Sequence, residues 1–193
     1  MVMVDDFLAT MSLCIPYTFL PAMAVTQGIN AQDAAFLISA AGISSTVGRV
    51  LAGLLCDQRR LHPMTITLLA TSLASLQALL LTTCSAYWSF VLLASGFGLC
   101  TGLWVACETP LIIRTLSFHL LTPAFGLLTA GGGVAALIGP PLAGRMEDIS
   151  AHGHAGITLV ICAAIMAASA LAYSAATLVR RKTAARVGYE EIS

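Results

Sequence analysis

The chain has 193 residues, of which 58% are hydrophobic and only 9% charged, a balance that excludes a soluble globular domain because one core of this size needs far less apolar side chain. The formal net charge is zero, which gives no basic footprint for nucleic acid and no polybasic lipid anchor. The class that remains is an all-α membrane protein that crosses the lipid bilayer several times.

A hydrocarbon core of about 30 Å takes roughly 20 helical residues, and six apolar runs near that length follow one another along the chain. The first covers residues 7–25, with Asp5 or Asp6 as its cap and with Pro16 and Pro21 bending it by removing backbone donors. Asp5 and Asp6 also stand where a secretory leader would carry basic residues, so no cleaved signal peptide is expected. The turn Gln27-Gly28-Ile29-Asn30 ends this span, and Asn30 or Asp33 caps a second over residues 33–56, closed by Asp57. A third covers 64–82 and a fourth 87–107, where Tyr87 and Trp88 read as interfacial anchors. Glu108 to Leu121 reads as a longer loop, with Glu108-Thr109-Pro110 ending the helix and Leu111-Ile112-Ile113 lying against the membrane. The fifth and sixth spans cover 122–143 and 155–179; Arg180, Arg181 and Lys182 then stop transfer, and residues 180–193 form a polar tail.

Basic residues fix the orientation. With the first span starting in the cytoplasm, Arg59, Arg60, Arg114, Arg180, Arg181, Lys182 and Arg186 fall inside and only Arg145 falls in an outer loop. Both termini are then cytoplasmic.

The second span holds a charge, Arg49. At 1.5 Å per residue it lies roughly 24 Å from Asp33 and roughly 12 Å from Asp57, too deep for easy snorkelling. A charge at that depth is costly and marks a function unless it is paired within the protein. No Asp or Glu occupies the centre of an expected span, so the partner is a backbone carbonyl, a group outside this chain, or a ligand. A carboxylate fits, because the guanidinium fork takes it bidentately and stays charged at physiological pH. Gly48 and Gly53, with Gly42, Ser45, Ala52 and Cys56, form a small-residue face that includes Arg49 and lets a neighbouring helix approach.

Other clusters carry less. The six cysteines, Cys14, Cys56, Cys84, Cys100, Cys107 and Cys162, sit in apolar runs at irregular spacing and read as buried packers, not as a disulfide framework. His152 and His154 with Glu147 and Asp148 lie on one short loop, and no metal site is expected there. Gly131-Gly132-Gly133, Gly139, Pro140, Pro141 and Gly144 make the fifth span bendable and require neighbours to satisfy freed backbone groups. No nucleophile with its base, phosphate loop or electron carrier stands out, so neither an enzyme nor a cofactor is expected.

Gly48-Arg49, Gly53 and Asp57, followed by Arg59 and Arg60, resemble the cytoplasmic loop signature of the major facilitator superfamily. Together with Ala35-Phe36-Leu37-Ile38-Ser39 and with the run from Gly139 to Asp148, the chain resembles the carboxy-terminal half of the monocarboxylate transporter family from its first span to its sixth. The resemblance implies six transmembrane helices forming one half of a carrier that moves small organic anions by alternating access. No stretch matches the family's first half, which implies a fragment or truncated form. It implies that Arg49 receives the substrate carboxylate, and that Tyr17 lines the site, although Tyr17 also reads as a bulky packer. Ser45 stands where proton-coupled members carry an aspartate, and a serine carries no titrating proton. Asp57, Arg59 and Arg60 match residues that latch the cytoplasmic gate, against the plainer reading of a solvated helix end. A plasma membrane setting and a single-span escort glycoprotein follow from the resemblance alone. The rivals are a half-carrier that moves nothing and serves as an interaction partner, and a carrier of an uncharged or zwitterionic solute.

Overall fold

In a computed structural model, residues 2–57, 63–84, 86–115, 121–149 and 160–171 are described. They form α1 (Val2–Thr26), α2 (Ala31–Asp57), α3 (Pro63–Leu81), α4 (Tyr87–Thr115) and α5 (Leu121–Ile149), with a shorter apolar helix α6 (Val160–Leu171). Five of these are long and apolar enough to cross a membrane, and the described residues contain no strand. Arg59, Arg60, His152, His154 and the tail from residue 180 lie outside the described residues.

Three boundaries differ from the sequence expectation. Helix α1 begins before Asp5 and Asp6, so neither caps it; Asp6 is 5% exposed and buried inside the helix's first turns. Helix α4 does not stop at Cys107 but continues through Glu108 and Pro110 to Thr115. Helix α5 continues through Arg145 to Ile149, beyond the loop boundary expected near residue 143. For α4, whose extension buries Leu111 and Ile112, helical pairing keeps backbone groups satisfied where water is excluded. Pro16 and Pro21, likewise Pro140 and Pro141, lie within helices assigned as continuous.

The end of α1 shows how the local code works. Gly28 adopts φ 83°, its amide donates to the Val25 carbonyl at 3.0 Å, and the Ile29 amide reaches back to Ala24 at 3.1 Å. This is a Schellman closure, and only glycine takes the left-handed position without a Cβ penalty. Asn30 then immediately precedes α2, its carbonyl receiving the Ala34 amide at 2.9 Å.

Helix α4 is the hub, packing against α2 and α3 and touching α1 and α5. One apolar cluster joins Ala9 and Leu13 of α1, Ala70, Ala74 and Ala78 of α3, Phe97, Cys100 and Trp104 of α4, and Ala163 and Met166 of α6. A second joins Leu20, Met23 and Ala24 of α1, Leu37 and Ala41 of α2, and Phe90 and Ala94 of α4. Hydroxyls in α3 are satisfied within their own helix, Thr67 donating to Pro63 at 3.0 Å and Ser72 to Leu68 at 2.8 Å, so they add no polar surface to these contacts. The most apolar stretch of α5 is 11% buried and that of α2 22%, against 50% for α4. Leu92 at 74% and Leu137 at 76% exposure therefore face lipid or protein outside this chain.

Candidate functional site

The α2–α4 seam sets the position of the site. Three glycines make it close. A Cβ on Gly98 would collide with the Ala41 carbonyl, one on Gly102 with the Ser45 carbonyl, and one on Gly48 with the Leu99 carbonyl. Gly98 and Gly102 are one helical turn apart on α4 and meet Ala41 and Ser45 of α2, while Gly48 meets the Leu99 and Leu103 backbone, so the two helices touch. Gly42 and Gly53, expected on the same face, have no neighbour within 4 Å and belong to the open side of α2.

Arg49 is also on that open side. It is exposed while the adjacent Gly48 is buried, because one residue turns the helix by about 100° and carries the side chain off the seam. The expected grouping of Arg49 with the packing face is therefore corrected. Among the described residues Arg49 makes no ion pair or hydrogen bond, and its charge reaches the Tyr17 phenol of α1. Along α2 it lies roughly 10 Å from the Cys56 end, within the hydrocarbon by length. Ser45, one turn before it, is half-buried at the edge of the seam.

Tyr17 is held from two sides. Its ring tilts against Phe97 with centroids 5.5 Å apart, and its hydroxyl lies 2.9 Å from Oγ1 of Thr101. Thr101 Oγ1 donates its hydrogen to the Gly98 carbonyl at 2.7 Å. A hydroxyl has one hydrogen, so Tyr17 is the donor to Thr101 and keeps free lone pairs. In this arrangement the Tyr17 hydroxyl is left as a hydrogen-bond acceptor.

Sequence reasoning missed Thr101 and the pair Asp6 and Glu108. Thr101 sits between Cys100 and Gly102 in a stretch of small residues, which was the available signal, but its partner is 84 positions away. Asp6 of α1 and Glu108 of α4 come close enough for the charge of one to act on the other. The sequence expectation placed them at a cap and at an interface.

The remaining candidates form a separate group. Gly139 is buried against Met11 of α1, where an added Cβ would come 3.1 Å from the carbonyl, whereas Gly144 has open space. Pro140 is half-buried and Pro141 exposed, so this segment is an α1–α5 contact and not a wall around Arg49. Asp57 closes α2 as expected. The described residues contain no cluster able to hold a metal ion.

The family model of the Major Facilitator Superfamily matches residues 6–191. Monocarboxylate transporter 3 of Rattus norvegicus is 32% identical over 151 residues, covering 76% of this chain and 30% of that protein. Monocarboxylate transporter 13 of the same species is 29% identical over 154 residues, covering 80% and 36%. The agnestins efflux protein AgnL12 of Paecilomyces divaricatus is 23% identical over 153 residues, covering 79% and 34%. The chain spans about a third of the length of the curated relatives it matches.

Proposed function

The chain belongs to the major facilitator superfamily, and from that membership we propose that it forms one six-helix half of a carrier that moves small monocarboxylate-like organic anions across a membrane by alternating access. The relatives are transporters and not enzymes, and their names supply the substrate class. The observation that carries the reading is Arg49, a charge inside a span with no ion-pair partner among the described residues. An anion placed against Arg49 is stabilised by the guanidinium fork in surroundings where water competes poorly. Ser45 lies one turn before Arg49 on α2, and Tyr17, anchored on Thr101, lies close enough for the Arg49 charge to act on its phenol.

Alternating access works on this half through its open faces. Substrate binding favours whichever state brings Arg49 and the opposing wall together, and the two halves exchange exposure by rocking. The cluster of Asp57, Arg59 and Arg60 serves in this reading as the cytoplasmic latch, and Gly139, Pro140, Pro141 and Gly144 provide flexibility in α5. Both termini are cytoplasmic, the setting is the plasma membrane, and a single-span escort glycoprotein accompanies the complete carrier. Ser45 gives the second helix no titrating acid beside Arg49, so coupling to protons does not run through this position.

Uptake of radiolabelled lactate and pyruvate by a full-length form, with and without Arg49→Ala, tests the proposal. Loss of uptake supports it, and unchanged uptake refutes the assignment. A second reading has its own observation: with about a third of the relatives' length and with α2 and α5 largely open, this chain alone is a non-transporting half. Reconstitution of the 193-residue chain into vesicles separates the two, since the second reading requires no uptake from the chain by itself.

A further inference from the structure

The end of the α2–α4 seam nearest Asp57 carries two thiols in contact. Sγ of Cys56 lies 3.5 Å from Sγ of Cys107, the one on α2 and the other on α4. Cys107 is fully buried and Cys56 half-buried. Their surroundings are Ala52, Ile66, Leu103 and Ala106, none of which offers a competing partner to either sulfur. The contact exists because the seam above it is built from glycines, which bring the two backbones together. A disulfide needs its sulfurs about 2.05 Å apart, so closure requires an approach of roughly 1.5 Å, within reach of χ1 rotation when the backbones already touch.

We propose that Cys56 and Cys107 form an oxidisable thiol pair, closed by a peroxide into a disulfide that ties α2 to α4. Cys56 reacts first, because it is half-exposed and next to the charged end of its helix, where a small polar oxidant arrives. Its sulfur attacks the O–O bond of the peroxide; that bond breaks, Cys56 becomes a sulfenic acid, and one water leaves with the thiol proton. The Cys107 sulfur then attacks the sulfenic sulfur, the S–S bond forms, the S–O bond breaks, and the departing hydroxide takes the Cys107 proton as a second water. The two thiols together lose two electrons and the peroxide gains them. Buried Cys107, shielded from the oxidant, is the resolving member. The bond sits about 10 Å along α2 from Arg49, and it fixes the helix that carries Arg49 to the helix that carries Thr101. The inference stands independently of what the carrier moves.

Membranes containing the full chain are treated with hydrogen peroxide, free thiols are then alkylated, and a non-reducing digest is analysed by mass spectrometry. The expected result is a linked peptide joining Cys56 to Cys107 that disappears on reduction, with Cys14, Cys84, Cys100 and Cys162 recovered as alkylated thiols. In Cys56→Ser, Cys107 is expected to remain an unmodified thiol; in Cys107→Ser, Cys56 is expected to stop at sulfenic acid, trapped by dimedone. The wild-type digest decides even if a variant fails to accumulate. Recovery of both residues as free thiols at full peroxide exposure overturns the proposal, as does a link from either residue to any other cysteine.

Discussion

Replacing Arg49 by lysine separates two roles that both need a positive charge. Lysine keeps the charge but loses the planar fork, so bidentate recognition of a carboxylate fails while simple charge balance survives. Arg49→Ala in a complete carrier is expected to remove about 2–3 kcal/mol of anion binding, a roughly 30- to 150-fold rise in the apparent KM. Arg49→Lys should fall between the two, and competition by lactate against labelled substrate measures both. Tyr17 calls for a different readout, because its hydrogen is committed to Thr101. Tyr17→Phe keeps the ring on Phe97 and removes the hydroxyl. Together with Thr101→Val it forms a double-mutant cycle whose coupling in thermal stability should be about 0.5–1.5 kcal/mol. Zero coupling would mean that the hydroxyl contact contributes nothing. At this scale the sequence showed that Arg49 lies within a long apolar run and that no acid stands at the centre of an expected span. It did not show Thr101, because a contact between residues 84 positions apart leaves no local pattern.

Among the helices, α2 and α4 form the contact most sensitive to side-chain volume. Gly102→Val places a branched Cβ against the Ser45 carbonyl, and the helices must separate or distort. The expected cost is about 1–3 kcal/mol, read as a lower melting temperature of the purified protein in detergent. Gly53→Ala is the control. Nothing lies within 4 Å of that position, and alanine in a helix interior is better than glycine by roughly 0.5–1 kcal/mol, so the melting temperature should hold or rise. The two glycines look alike in the sequence, as helical small residues at plausible spacing. What distinguishes them is which side of its helix each occupies relative to a neighbour, and that depends on how α2 and α4 are rotated about their own axes. The same reasoning explains the helix ends. A proline after Glu108 reads as a stop signal, yet α4 runs on to Thr115, since helix continuation spares backbone groups from apolar surroundings.

For the molecule as a whole, the proposed topology makes a direct prediction. Epitope tags placed before Met1 and after Ser193 should both be inaccessible to antibody on intact cells and both become accessible after permeabilisation. One tag exposed on intact cells would mean an odd number of crossings, and both exposed an inverted bundle. Hydropathy and length determined by themselves that this is a helical membrane protein, where its long apolar runs lie, and how deep Arg49 sits along one of them. They did so because the thickness of the bilayer and the rise of a helix fix those quantities without reference to any neighbour. Tertiary structure alone decided that Arg49 is exposed off the α4 seam, that Gly48, Gly98 and Gly102 close the seam, and that Cys56 meets Cys107. In a soluble protein the polar side of a helix would have pointed outward and revealed its rotation. Here lipid is as apolar as the packed interior, so the helices are hydrophobic all round and their facing is set by close packing of small residues, which appears only once the neighbours are in place.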